Sequence, residues 1–139
     1  VGVLEAIQRV NEGSGVDFIK DRTKGNFESL LNRPITIVDI VISDSKFYEG
    51  KKFATFIVEG DNAHYYTTNS DVVVAQLRQL QEGLDEDGLD WDALTITFEP
   101  VRSKQGRRYY AVRAELKPGV KEKLEKRAAQ EEEERRIAL

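Results

Sequence analysis

The sequence predicts a mainly β domain with flanking helices, and three observations carry that expectation. The hydrophobic pattern changes at Pro34, from the spacing of a helical face to that of strands. Five strand-like runs follow, rich in β-branched residues and bounded by Gly, Pro, Asn or Asp. A single helical run interrupts them, between the third and the fourth.

Taken in order, Leu4, Ile7 and Val10 repeat at a spacing of three and predict a short first helix. Residues 11–15 (NEGSG) break it. Residues 17–31 form a second, weakly helical stretch with Phe18, Ile19, Phe27, Leu30 and Leu31 apolar and Gly25 as a point of interruption. Pro34 ends it, because the residue before a proline is pushed out of the helical region.

Residues 35–43 read as a long, mostly buried strand, followed by a polar loop over 44–52. Residues 53–59 and 63–68 are the second and third strands, joined by the turn chemistry of Gly60, Asp61 and Asn62. Asn69, Ser70 and Asp71 supply an N-cap and an acidic first turn for a helix with Val72, Val73, Ala75, Leu77 and Leu80. Gly83 is the expected stop, and residues 84–92 the expected acidic loop, holding the sole tryptophan, Trp91.

Residues 94–102 alternate with Leu94, Ile96 and Phe98 on one face; residues 103–106 turn the chain; residues 107–116 are the fifth strand. Pro118 and Gly119 end it, and residues 120–139 read as a charged helix with four consecutive glutamates, Glu131 to Glu134. The order β-β-β-α-β-β is that of a five-stranded, partly open Greek-key barrel, the OB-fold. The expected organisation is an N-terminal helical extension over 1–33, an OB-fold domain over 34–117 and a C-terminal charged helix over 118–139. An antiparallel meander with an appended helix fits the same order.

Composition narrows the chemistry. Cysteine is absent, which excludes a disulfide framework, a thiolate metal site and a cysteine nucleophile. Histidine occurs once, at His64, so a zinc site would need carboxylates for nearly all its ligands. No apolar run approaches the ~18 residues of a membrane span, and a cytoplasmic location is expected. Net charge is −4, and residues 120–139 hold six basic and six acidic residues, so the remaining body is also −4. Any nucleic-acid contact must therefore come from a local patch.

Four segments resemble a known family. Phe18-Ile19-Lys20 stands ahead of a Pro-Ile-Thr-Ile opening strand at Pro34. Tyr66-Thr67-Thr68-Asn69-Ser70 runs directly into the helix with Val72, Val73 and Leu77. Trp91 precedes the fourth strand, and Gly106-Arg107-Arg108-Tyr109-Tyr110 opens the fifth. In this order they are similar to phage- and plasmid-encoded OB-fold proteins that bind single-stranded DNA. The resemblance covers roughly residues 18–116. It implies sequence-independent single-strand binding in replication, recombination or transfer, with no catalytic site and no cofactor. Bacterial proteins of this function usually end in a disordered acidic tail with an apolar tip; here the acids lie in a helical pattern and Arg135 and Arg136 follow them.

The candidate contact residues follow from what single strands require: cations along the backbone and flat rings on which bases stack. In the last strand, alternation puts Tyr110, Val112, Ala114 and Leu116 on one face and Arg107, Tyr109, Ala111 and Arg113 on the other. Arg102, Lys104 and Arg108 lie in the same hairpin, and OB-folds use the loop between strands four and five for ligand contact. The competing reading is a solvated face whose arginines pair with Glu99 and Glu115. The loop between strands one and two offers Lys46, Lys51 and Lys52 around Phe47 and Tyr48. Phosphate contacts are thus expected from Lys46, Lys51, Lys52, Arg102, Lys104, Arg107 and Arg113, and stacking from Tyr48 and Tyr109. Tyr65 and Tyr66 point to opposite faces; the one that shares the side of Tyr109 extends the platform, and Tyr65 is the candidate contact residue.

Other chemistries find little support. The acids Asp85, Glu86, Asp87, Asp90 and Asp92 lack the spacing of a calcium loop and read as a solvated segment, though they leave open a metal-dependent nuclease. No phosphate-binding glycine loop and no nucleophile elbow occurs. A non-enzymatic protein-interaction module is the alternative, which the net acidity favours. The sparse apolar stripes of the two terminal segments predict self-association through them.

Overall fold

A computed structural model describes residues 2–4, 17–44 and 49–138. Eight elements organise them: β1 (Thr23–Lys24), β2 (Ile37–Asp44), β3 (Lys52–Val58), β4 (His64–Thr68), α1 (Asp71–Asp87), β5 (Leu94–Arg102), β6 (Arg108–Leu116) and α2 (Pro118–Ala138). The architecture is mixed, with two sheets and two long helices. The five expected strands and the helix between the third and fourth are present in the expected order. The first predicted helix falls mostly on residues 5–10, outside the described ones.

The strands do not close into a barrel. One sheet has the order β1-β4-β3-β2 and the other is the hairpin β5-β6. The chain entering β2 joins them: Ile35 and Ile96 exchange two backbone hydrogen bonds at 2.8 Å, and the Asn32 amide donates to the Phe98 carbonyl at 2.8 Å. No pairing links β4 to β6.

Two devices fill that gap. The first is the segment ahead of Pro34, which is not the helical stretch its apolar residues predict. It forms short 3₁₀ turns at Asp17–Ile19 and Phe27–Leu30 around the parallel pairing of β1 with β4. Asn26 caps the second turn, its side chain accepting from the Glu28 amide. Phe27 then inserts its ring among Phe98 (4.8 Å), Tyr110 (5.6 Å) and Phe56 (6.5 Å). Gly25 lies flat on the Tyr66 ring, where a Cβ would stand 2.5 Å from a ring carbon. Helix formation in this stretch would forfeit that aromatic burial, and tertiary packing outweighs a weak local propensity. The second device is α1: the Gln76 Oε1 accepts from the Val112 amide at 2.7 Å and so blunts the β6 edge.

The core lies between the sheets and α1. Phe56, Phe98, Ile37, Leu77, Ile96 and Val73 are its largest fully buried side chains. The most buried strand is β3, at the centre of its sheet, with Ala54 to Val58 all buried. The strand expected to be mostly buried, β2, sits at the sheet edge instead. A bulge between its pairings at Ile37 and Asp39 leaves Val38 54 % exposed.

The helix α1 runs past Gly83, so residues 84–87 are helical and not part of an acidic loop. Its true stop is Gly88, at φ 68°, where the Leu89 amide donates to the Leu84 carbonyl and the Gly88 amide to that of Asp85. This six-to-one, five-to-two pattern favours glycine and satisfies the last carbonyls. Trp91 packs in the core and its indole N–H donates to the Gln81 Oε1 at 2.7 Å. In α2, Val120 packs partly onto the domain, Leu124 is half-buried, and Arg127 reaches the Asp87 carbonyl. From Ala128 to Ala138 every residue is exposed.

The turn between β3 and β4 is held by Asp61. Its carboxylate accepts from the Tyr66 hydroxyl at 2.8 Å, from the Ala63 and His64 amides, and lies 3.1 Å from the His64 Nδ1. Arg22 donates to the Asp61 and His64 carbonyls, tying the N-terminal segment to the same turn. Chiefly through the Tyr66 hydrogen bond, the Asp61 carboxyl is lowered from 3.8 to about 2. A folded value below the unfolded one gives stability that is present above about pH 4 and lost as pH falls towards 2. The side chain is 27 % exposed, so ~2 kcal/mol is an upper bound on this contribution. Asp61→Asn is expected to lower the urea midpoint at pH 7, with the difference from wild type shrinking at pH 2.5. A difference that does not change with pH would assign the effect to packing.

Candidate functional site

The hairpin β5–β6 carries a group of positive charges that have no acidic partner among the described residues. It is paired without interruption from Leu94↔Leu116 to Arg102↔Arg108. The turn Ser103–Gly106 closes it: the Gly106 amide donates to the Ser103 carbonyl at 2.9 Å, and the Ser103 amide to that of Arg107 at 2.8 Å. Gly106 takes φ 80°, a conformation that costs a residue with a Cβ, and the Ser103 Oγ accepts from the Arg107 amide.

Burial along the hairpin falls off in step. Leu94, Ile96 and Phe98 are buried, whereas Pro100, Arg102 and every residue from Lys104 to Tyr109 are exposed. The distal third therefore stands clear of the core, and both of its faces meet solvent. Arg102, Lys104, Arg107 and Arg108 lie in this arm, and no acid occurs between Glu99 and Glu115. Among the described residues none of the four has a carboxylate within 4.0 Å. Tyr109 is 37 % exposed and sits opposite Val101, on the outer face shared with Arg107. Its neighbour Tyr110 points inward against Phe27. Charges in so exposed a place act at a distance set by salt, ~8 Å at physiological ionic strength.

The other expected contact residues are placed differently. The Lys51 Nζ lies 2.8 Å from the Asp71 Oδ2, and the Lys52 Nζ 3.0 Å from the Asp44 Oδ1. Arg113 faces Glu99 at 3.6 Å and Glu115 at 3.9 Å, the pairing that the competing reading expects. Lys46 and Tyr48 lie outside the described residues. Tyr66 is the inward tyrosine, stacked 5.8 Å from Phe56, and Tyr65 is the half-buried one on the opposite face of β4. Because β4 and β6 are unpaired, no continuous sheet surface joins Tyr65 to Tyr109. The arm thus brings together Arg102, Lys104, Arg107 and Tyr109, while Lys51, Lys52 and Tyr65 belong to the other sheet. Arg108 is the residue that alternation alone passes over, since its even position assigns it to the core face. The available signal was the run of four cations without an acid.

Among the described residues no three acids or histidines gather as a metal-ligand group. Asp85 accepts from Gln81 one helical turn earlier and is exposed with Glu86 and Asp87. A cleft of about 440 Å³ lies between Arg33, Ile35, Val58, Glu59, Asp61, Tyr66 and Thr95. The Asp61 carboxylate on its wall is already occupied by the turn. Among the described residues no helix is long and apolar enough to cross a membrane. No protein-family model, curated protein or solved structure matches this chain.

Proposed function

We propose that this chain binds single-stranded DNA without sequence preference, through the arm of the β5–β6 hairpin, and performs no chemistry on it. The observation that carries the reading is the cluster of Arg102, Lys104, Arg107 and Arg108 beside the exposed ring of Tyr109, with no acidic partner for any of the four among the described residues. Backbone cations next to a stacking ring are the two features that sequence-tolerant single-strand binding uses. The order of strands, the helix between the third and fourth, and the backbone link between the β2 entry and β5 support an open variant of the OB-fold over residues 34–117. In that fold the loop after the fourth strand contacts ligand. The resemblance noted above points to the same class, with roles in phage or plasmid replication, recombination or transfer.

A fluorescence-polarisation titration with labelled oligonucleotides tests the reading. Single strands of unrelated sequence are expected to bind alike, more tightly than duplex, and less tightly as salt rises, since neutralised phosphates release their counterions. Duplex bound as tightly as single strand would overturn it. The net charge of −4 and the exposed distal half of α2 favour one other reading, a protein-interaction module. That module would bind neither nucleic acid at low salt.

A further inference from the structure

Resting on the single-strand reading, we infer that Glu99 and Glu115 are positioning residues that hold Arg113 away from phosphate and mark the inner end of the strand path. The register carries this. Arg113 sits opposite Thr97, with Glu99 opposite Ala111 and Glu115 opposite Thr95. Glu99 is therefore the diagonal neighbour of Arg113, and Glu115 its neighbour two residues along the same strand. Alternation places all three on the outer face of Tyr109 and Arg107. The Arg113 Nη1 is 3.6 Å from the Glu99 Oε1, and its Nε is 3.9 Å from the Glu115 Oε1.

The same face is thus divided by sign. Its distal part holds Arg107 beside Tyr109, with Lys104 in the adjoining turn and no acid, whereas the proximal trio of Glu99, Arg113 and Glu115 sums to −1. A strand that follows the outer face from Tyr109 towards Arg113 travels four residues, roughly 13 Å at strand rise. There it meets two carboxylates around one cation. Arg113 is 67 % exposed and has the reach to contact phosphate once released; Glu99, at 36 %, is the more fixed of its partners. The pairing distances exceed those of good hydrogen bonds, and exposed pairs of this kind add little to stability. Removing the carboxylates should therefore change the surface without unfolding the domain.

The experiment titrates labelled oligothymidine with the full chain, as wild type, as E99Q/E115Q and as E99Q/E115Q/R113Q, across a salt series. Urea midpoints within error of wild type show that all three are folded. The double variant is expected to bind more tightly, and its log K against log salt to steepen by ~0.7, the increment for one added phosphate contact on a single strand. The triple variant should return to the wild-type slope. A double variant with the wild-type slope overturns the inference alone. So does a triple variant that keeps the steeper slope, because the gain would then owe nothing to Arg113. A wild-type chain that binds no single strand at low salt overturns the parent reading and this inference with it.

Discussion

Replacing Arg102, Lys104, Arg107 and Arg108 together with glutamine is expected to remove most of the salt-dependent affinity for single strands. Each phosphate contact on a single strand contributes ~0.7 to the slope of log K against log salt, so four contribute ~2.8. Between 50 and 200 mM salt a slope of that size weakens binding about 50-fold, and the variant should lack that share of the weakening. Tyr109→Ala acts through a different physical term. It should cost ~1–3 kcal/mol of binding at every salt concentration, since stacking does not depend on counterions. All five side chains are exposed, so urea midpoints should move by less than ~0.5 kcal/mol in equivalent stability. A quadruple variant with an unchanged salt slope would place the interface elsewhere on the protein.

Phe98→Ala is expected to give the largest loss of stability, ~3–5 kcal/mol, because a fully buried aromatic leaves both lost transfer energy and a cavity. Phe98 is 0 % exposed, meets the rings of Phe27 and Phe56, and lies on the strand whose backbone holds the entry to β2. Against the ~5–15 kcal/mol of a typical domain, such a loss leaves little margin. Phe27→Ala is the informative companion. Its ring touches three other rings although it belongs to the segment ahead of the five strands. A cost of ~2 kcal/mol or more in urea denaturation makes that segment part of the core; a cost below ~0.5 kcal/mol makes it an attachment.

The alternation over β5 and β6 is legible because strand side chains have a period of two and this hairpin has one covered and one open face. It separates Tyr110 from Tyr109, and the run Arg102, Lys104, Arg107, Arg108 marks the arm. The same period misplaces Arg108. Period assigns a face, but only the length of the hairpin relative to the layer beneath it decides whether that face is covered. The helix stop shows a related limit. Gly83 and Gly88 look alike as residues, and the choice between them rests on where the chain can take a positive φ and close its last carbonyls, at Gly88.

By itself, then, the sequence determined the order of the five strands, the position of α1 between the third and fourth, and the inward face of the last strand. These follow from local periodicity, capping residues and side-chain size, all of which act within a few residues. The tertiary structure alone decided that β4 and β6 stay unpaired and that Phe27 and Gly25 pack into the space between them. It also decided that β3 and not β2 is the covered strand, and that Lys51, Lys52 and Arg113 face carboxylates while, among the described residues, the arm does not. Those outcomes depend on which distant segments meet. Partners such as Asp71 for Lys51, or Tyr66 for Gly25, lie 20 and 41 residues along the chain, and a pattern read over a few residues carries no information about them.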